Sequence, residues 1–219
     1  MSTVVAPPVA SSRQGSLWKS VGWAGYQRLL AIAGNHPRIR MNYDRGDVEI
    51  MSLQNRHDRP KKRAGFAIEG LTDVLEIPSF ATGPATYRRQ DIDRGLEAVE
   101  SYYLVDEPSS LSDKYLDLQV DRPPDLVVEV DITSSTLDKL GIYAALGFPE
   151  IWRWEGGELQ VLLLGLDGGY TVSARSSAFP WLPMAEVSRF VRDPHGDDTL
   201  WRREFRAFVL PLYQAWPGP

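Results

Sequence analysis

Residues 126–130, Leu-Val-Val-Glu-Val, constrain the fold of this chain more than any other stretch. The run is mostly β-branched, nearly continuous in its apolar character, and entered through Arg122-Pro123-Pro124. A strand that is apolar on successive residues is buried on both faces, as at the centre of a sheet. Side chains alternate along a strand, so Asp125, Val127, Glu129 and Asp131 project to one face. Glu129 is thus a carboxylate in a sheet interior, which is costly unless it is paired or holds a cation. A structural ion pair and a functional site both satisfy that requirement, and position alone does not separate them.

The rest of the chain is organised around this strand. Leu17 to Gly34 has helical spacing, with Trp23, Tyr26, Leu30 and Ala33 on or near one face and Gly34-Asn35 as its stop. Ile39–Tyr43 and Val48–Leu53 flank Asp44-Arg45-Gly46-Asp47, a hairpin turn. A second helix is expected over 59–75, with Pro60 in its first turn and Phe66, Leu71 and Val74 inward. Strands are expected near 75–81, 84–89 and 99–105. A helix capped by Thr133 or Ser134 should end at Gly147. Residues 150–154 and 158–164 form another hairpin, 170–174 a further strand, and 198–216 an aromatic-rich amphipathic helix interrupted by Pro211. Strands in the middle with helices around them predict one α/β or α+β layered domain over 17–219, preceded by a Pro- and Ser-rich disordered tail at 1–16.

Composition narrows the function. A chain of 219 residues suits one substantial core. No run approaches the ~20 apolar residues of a membrane span. Absence of cysteine excludes disulfides and thiolate metal sites and makes a reducing cytoplasm the expected compartment. A net charge of −5 argues against a protein that coats DNA non-specifically, though not against an enzyme touching DNA through a local basic surface.

Downstream of Glu129, Lys139 and Tyr143 are one helical turn apart and share a face. A strand carboxylate with a lysine nearby suits phosphodiester hydrolysis: the carboxylate would hold Mg²⁺, and the cation would meet developing charge. Lys139 taken alone reads as a solvated helix lysine. Pro124-Asp125-Leu126-Val127-Val128-Glu129-Val130, Thr133-Ser134-Ser135-Thr136, Asp138-Lys139, Tyr143-Ala144 and Gly147-Phe148-Pro149-Glu150-Ile151-Trp152 together resemble the Uma-two family of endonucleases, within the PD-(D/E)XK superfamily. Asp47–Ser52, His57, Glu69 and Gly95-Leu96-Glu97 extend the similarity, which runs from about Trp23 to Phe190. The resemblance implies a restriction-endonuclease-like mixed central sheet flanked by helices, and cleavage of double-stranded DNA with Mg²⁺ or Mn²⁺. It implies Glu129 as the metal-binding acidic residue, Lys139 as the catalytic lysine displaced onto a helix, and Glu69 as an assisting carboxylate on the first core helix.

One departure stands out. Where related sequences read Gly-Leu-Glu-Pro-Asp, this chain has Gly95-Leu96-Glu97-Ala98-Val99, so a valine replaces the first metal ligand and cation binding should be weak or absent. Glu100, Glu97 and Asp131 are the nearest substitutes; Glu100 is offset by one residue, which turns it to the other face unless a bulge intervenes. Two readings stay open: a Mg²⁺-dependent endonuclease, and a catalytically inactive module of the same fold that binds DNA or protein. Arg56, Arg59, Lys61, Lys62 and Arg63 offer either a phosphate-contacting rim or a solvated helix end. Trp201, Phe205, Phe208, Leu212 and Trp216 form an apolar stripe from which a homodimer is expected.

Overall fold

The computed structural model describes residues 15–34, 36, 39–52, 58–108, 115–130, 135–193 and 196–218. Within them the chain is a mixed α/β fold of two sheets and five helices. In chain order these are β1 (Gly15–Trp18), α1 (Gly22–Ala33), β2 (Ile39–Asp44), β3 (Asp47–Ser52), α2 (Asp58–Leu75), β4 (Phe80–Ala81), β5 (Ala85–Arg89), β6 (Arg94–Ala98), β7 (Glu100–Tyr103), β8 (Leu116–Asp117), β9 (Leu126–Val130), α3 (Lys139–Ala145), β10 (Glu150–Glu155), β11 (Glu158–Leu164), β12 (Tyr170–Ser173), α4 (Met184–Arg192) and α5 (Asp198–Ala215). One sheet runs β1-β3-β2-β6-β5-β8, and the other β12-β11-β10-β9-β7-β4. The single central sheet expected from the sequence is therefore accompanied by a second sheet built largely from the N-terminal half.

Strand β9 occupies the middle of its sheet, parallel to β10 on one side and antiparallel to β7 on the other. Both faces are covered, which is what its unbroken apolar run requires. Leu126 and Val128 share one core cluster with Ala64, Ala67, Ile68 and Leu71 of α2, behind which α5 adds Trp201, Phe205 and Val209. Val127 faces the other way, onto Ile142 and Tyr143 of α3 and Phe148 beyond it. Since α3 links the parallel strands β9 and β10, it lies across the face that Val127 and Glu129 share.

The chain passes from one sheet to the other within one residue. Strand β6 ends at Ala98 in the first sheet and β7 begins at Glu100 in the second, leaving Val99 as the joint. No strand was expected at 94–98, because its Arg, Gly and Glu mask the pattern. Strand β6 is held by the neighbouring hairpin strand β5, where Tyr87 pairs with Leu96, and by distant groups: Tyr43 pairs with Gly95, and Arg40 bonds Glu97 at 2.7 Å. Gly95 is also where the ring of Tyr26, stacked on Tyr43 at 4.7 Å, comes closest. A Cβ at position 95 would meet Tyr26 Oη at 2.6 Å and its ring carbons at 2.9–3.0 Å. Gly95→Ala should therefore destabilise the fold by about 1–3 kcal/mol through overpacking. Thermal denaturation checks this; an unchanged Tm would mean that the Tyr26–Tyr43 stack yields freely.

Several boundaries moved. Residues 17 and 18 belong to β1, not to a helix, and Gly15 and Ser16, placed in the expected tail, pair with Met51 and Ile50. Residues 1–14 lie outside the described residues, as do Thr133 and Ser134. The helix after β9 has only seven residues and is capped by Asp138, whose side chain accepts from the Gly141 N–H at 2.9 Å. In the α5 stripe behind the dimer expectation, Trp201 and Phe205 are buried in the chain's own core, and Phe208, Leu212 and Trp216 are half-buried. Among the described residues no helix is long and apolar enough to cross a membrane.

Candidate functional site

Strand parity aims Glu129 at α3, and the helix spacing of Lys139 and Tyr143 aims both back at it. Lys139 Nζ lies 2.9 Å from Glu129 Oε1, and the Tyr143 hydroxyl donates to the same oxygen. The pair is enclosed, with Glu129 1% and Lys139 6% exposed. Burial, then the charge of Glu129 and its hydrogen bond, push the Tyr143 hydroxyl well above the ordinary tyrosine range, so it stays a donor. Among the described residues, buried Glu129 Oε2 has no hydrogen-bond partner.

The neighbouring strand completes one side. Glu100 pairs with Val128, Ser101 with Val127 and Tyr102 with Leu126. Val99 is the bend just before this ladder; continuing the register by one pair would set it beside Glu129. Glu100, paired with Val128, projects to the opposite face of the sheet, as its one-residue offset requires. There Lys61 meets it at 3.4 Å.

Glu97 is nearer to the pair but committed elsewhere. Its carboxylate bonds Arg40, and burial pushes it up while Arg40, the Met41 N–H and Lys139 draw it down. Asp131 lies outside the described residues. Glu69 is not brought to Glu129: it sits on α2, which packs on the Leu126/Val128 face. Burial and the charge of Glu100 push its carboxyl up, with Arg202 opposing them.

These residues do not fit a Mg²⁺ or Mn²⁺ centre. Magnesium takes near-octahedral oxygen coordination, commonly from one or two carboxylates together with substrate phosphates and water. Here one carboxylate oxygen is buried and unbonded among the described residues, its twin is engaged by an ammonium and a hydroxyl, and Val99 offers no donor. Among the described residues no three His, Asp or Glu side chains are grouped to hold a metal.

The basic stretch fares similarly. Arg59 donates to the Gly196 carbonyl at 2.8 Å, and Arg63 is buried, donating to the Asp193 carbonyl and lying 5.7 Å from the Trp201 ring. Arg89 pairs with Asp91 at 3.0 Å, and Arg88 covers the Tyr115 ring at 4.8 Å. Lys62 is exposed. Arg56 and His57 lie outside the described residues. Most of the expected phosphate rim is thus engaged in holding the structure together.

Sequence reasoning overlooked Arg40 and Asn42 and treated Glu49 only as part of a resemblance. Asn42 and Glu49 are fully buried and directly paired across β2 and β3, with Asn42 Nδ2 donating to Glu49 Oε2 at 3.1 Å. The available signal was the one that exposed Glu129, a carboxylate set among apolar strand residues (Val48 and Ile50).

Comparison with known proteins follows the same lines. The fold is similar to a solved structure described as a "putative nuclease belonging to DUF820" from Anabaena variabilis, at 12% identity and a TM-score of 0.49, covering 69% of this chain and 90% of that one. No curated protein matches the chain. The family model named Uma2, described as "Putative restriction endonuclease", matches residues 23–187, and the chain belongs to that family.

Proposed function

We propose that this chain is a nuclease-fold protein with a silent hydrolytic centre, a module that binds DNA or protein without cutting DNA. The observation that carries this reading is the self-neutralised pair: Glu129 spends Oε1 on Lys139 and Tyr143 inside the protein, beside a valine. A working phosphodiesterase of this kind needs a carboxylate open to the cation and a lysine free to meet developing charge. Here each has the other as its partner.

A second reading, a Mg²⁺- or Mn²⁺-dependent endonuclease on double-stranded DNA, draws support from one atom. Glu129 Oε2, buried and without a partner among the described residues, is an available donor.

Plasmid nicking with Mg²⁺ or Mn²⁺ separates the two readings. The silent centre predicts no nicking above the level of Glu129→Ala, and DNA as the partner would show as salt-sensitive duplex binding at a Kd of roughly 10⁻⁴–10⁻⁶ M. Efficient nicking that Glu129→Ala abolishes would establish the second reading. Fluorescence anisotropy with a duplex that shows no binding at low salt would remove DNA as the partner.

A further inference from the structure

Glu49 is a second buried carboxylate, and the Glu129 pair does not use it. It lies on β3 in the other sheet, fully enclosed, under Gly15 of β1, whose Cβ position is 3.5 Å from Oε1. Three donors converge on it. Asn42 Nδ2 and the Ser135 hydroxyl bond Oε2, and the Thr136 backbone N–H bonds Oε1. Two of these come from the segment that leads into α3, three and four residues before Lys139.

That segment needs an anchor. With seven residues, α3 is far below the ~12–15 at which an isolated helix is even marginal in water. Its later turn is held by Ile142 and Tyr143 in the core, but its first residue is Lys139 itself. Inside the helix start, Asp138 satisfies the Gly141 N–H. Upstream of it, Glu49 ties residues 135 and 136 to the first sheet.

We propose that Glu49 is a positioning residue: by clasping Ser135 and Thr136 to the first sheet, it holds the start of α3 where Lys139 reaches Glu129. Glu49 touches neither side chain of the pair and acts on it through the backbone. The inference rests on the Glu129–Lys139 pairing behind the proposed silent centre, and it is read without any cleavage assay.

The experiment is pulsed acetylation of the full chain with an N-hydroxysuccinimide ester, followed by peptide mass spectrometry. Hydrogen exchange of α3 and β9 is measured alongside. In the natural protein Lys139 reacts slowly, being enclosed and paired. Glu49→Ala raises its rate about tenfold and speeds exchange across 139–143, while β9 amides keep their protection. Glu49→Gln restores slow labelling. The carbonyl that this substitution provides still accepts from the Thr136 N–H, and its amide can donate to Ser135 and to the turned-over side chain of Asn42, whose Oδ1 has no partner now.

Ser135→Ala, which removes one donor and leaves the carboxylate with two, should raise the rate about threefold. It serves as the informative variant should Glu49→Ala not fold. Lys139 protected equally in every folded variant overturns the clasp. So does loss of protection in β9 and α3 together, because that is general destabilisation. Nicking by the natural protein would overturn the silent centre and leave this result standing.

Discussion

Val99→Asp should strengthen Mn²⁺ or Mg²⁺ binding at least tenfold and bring plasmid nicking above background. Extending the β7 register by one pair would set position 99 beside Glu129, where a carboxylate would join Glu129 Oε2 as a second oxygen ligand. Without metal the same change should cost stability, about 1–3 kcal/mol, because a half-buried apolar side chain gives way to a carboxylate without a donor. Binding recovers that loss: at a metal concentration 100 times Kd the gain is about 2.7 kcal/mol. The mutant's Tm should therefore climb with Mg²⁺ more steeply than the natural protein's. Isothermal titration and thermal melts across metal concentrations measure both effects, with Val99→Asp combined with Glu129→Ala as control. If the substitution gains neither affinity nor a metal-dependent Tm, residue 99 does not face Glu129.

Lys139→Met tests the other side of the pair. Removing one partner of an enclosed ion pair leaves an uncompensated charge and typically costs about 3–5 kcal/mol. In a domain of this size that lowers Tm by roughly 6–20 °C. Adding Glu129→Gln should recover most of the loss, because the remaining group is neutral and still accepts from Tyr143. Replacing both charges together is commonly near neutral in stability. A double-mutant cycle by denaturant unfolding reads the coupling directly. A single mutant as stable as the natural protein would show that water reaches Glu129 freely, and the silent-centre reading would lose its basis.

Much of the candidate site was legible because its logic is local. The alternation of β9 specified which face carries Glu129, and the one-turn spacing of Lys139 and Tyr143 put both on one side of α3. The offset of Glu100 likewise followed from parity alone, and its pairing with Val128 bears this out. Glu69 was harder. A helix residue's neighbours depend on which sheet face the helix covers, and α2 covers the face away from α3. The basic stretch at 59–63 read as a rim or a solvated helix end, yet Arg59 and Arg63 bond backbone carbonyls more than 125 residues away.

By itself, then, the sequence determined the central strand, both long hairpins, the aromatic C-terminal helix and the carboxylate–lysine–tyrosine grouping. Each follows from side-chain period, turn chemistry or helical spacing within about fifteen residues. Only the tertiary structure decided that β6 exists, that a second sheet stands beside the first, and that Glu49 clasps the approach to α3. It alone decided, too, that the pair is enclosed. The second sheet and the Glu49 clasp depend on groups brought together from about 50 to 90 positions apart, such as Tyr43 with Gly95 and Glu49 with Thr136. A charged side chain carries no local mark of the partner it will meet, because enclosure and partner geometry set its energy.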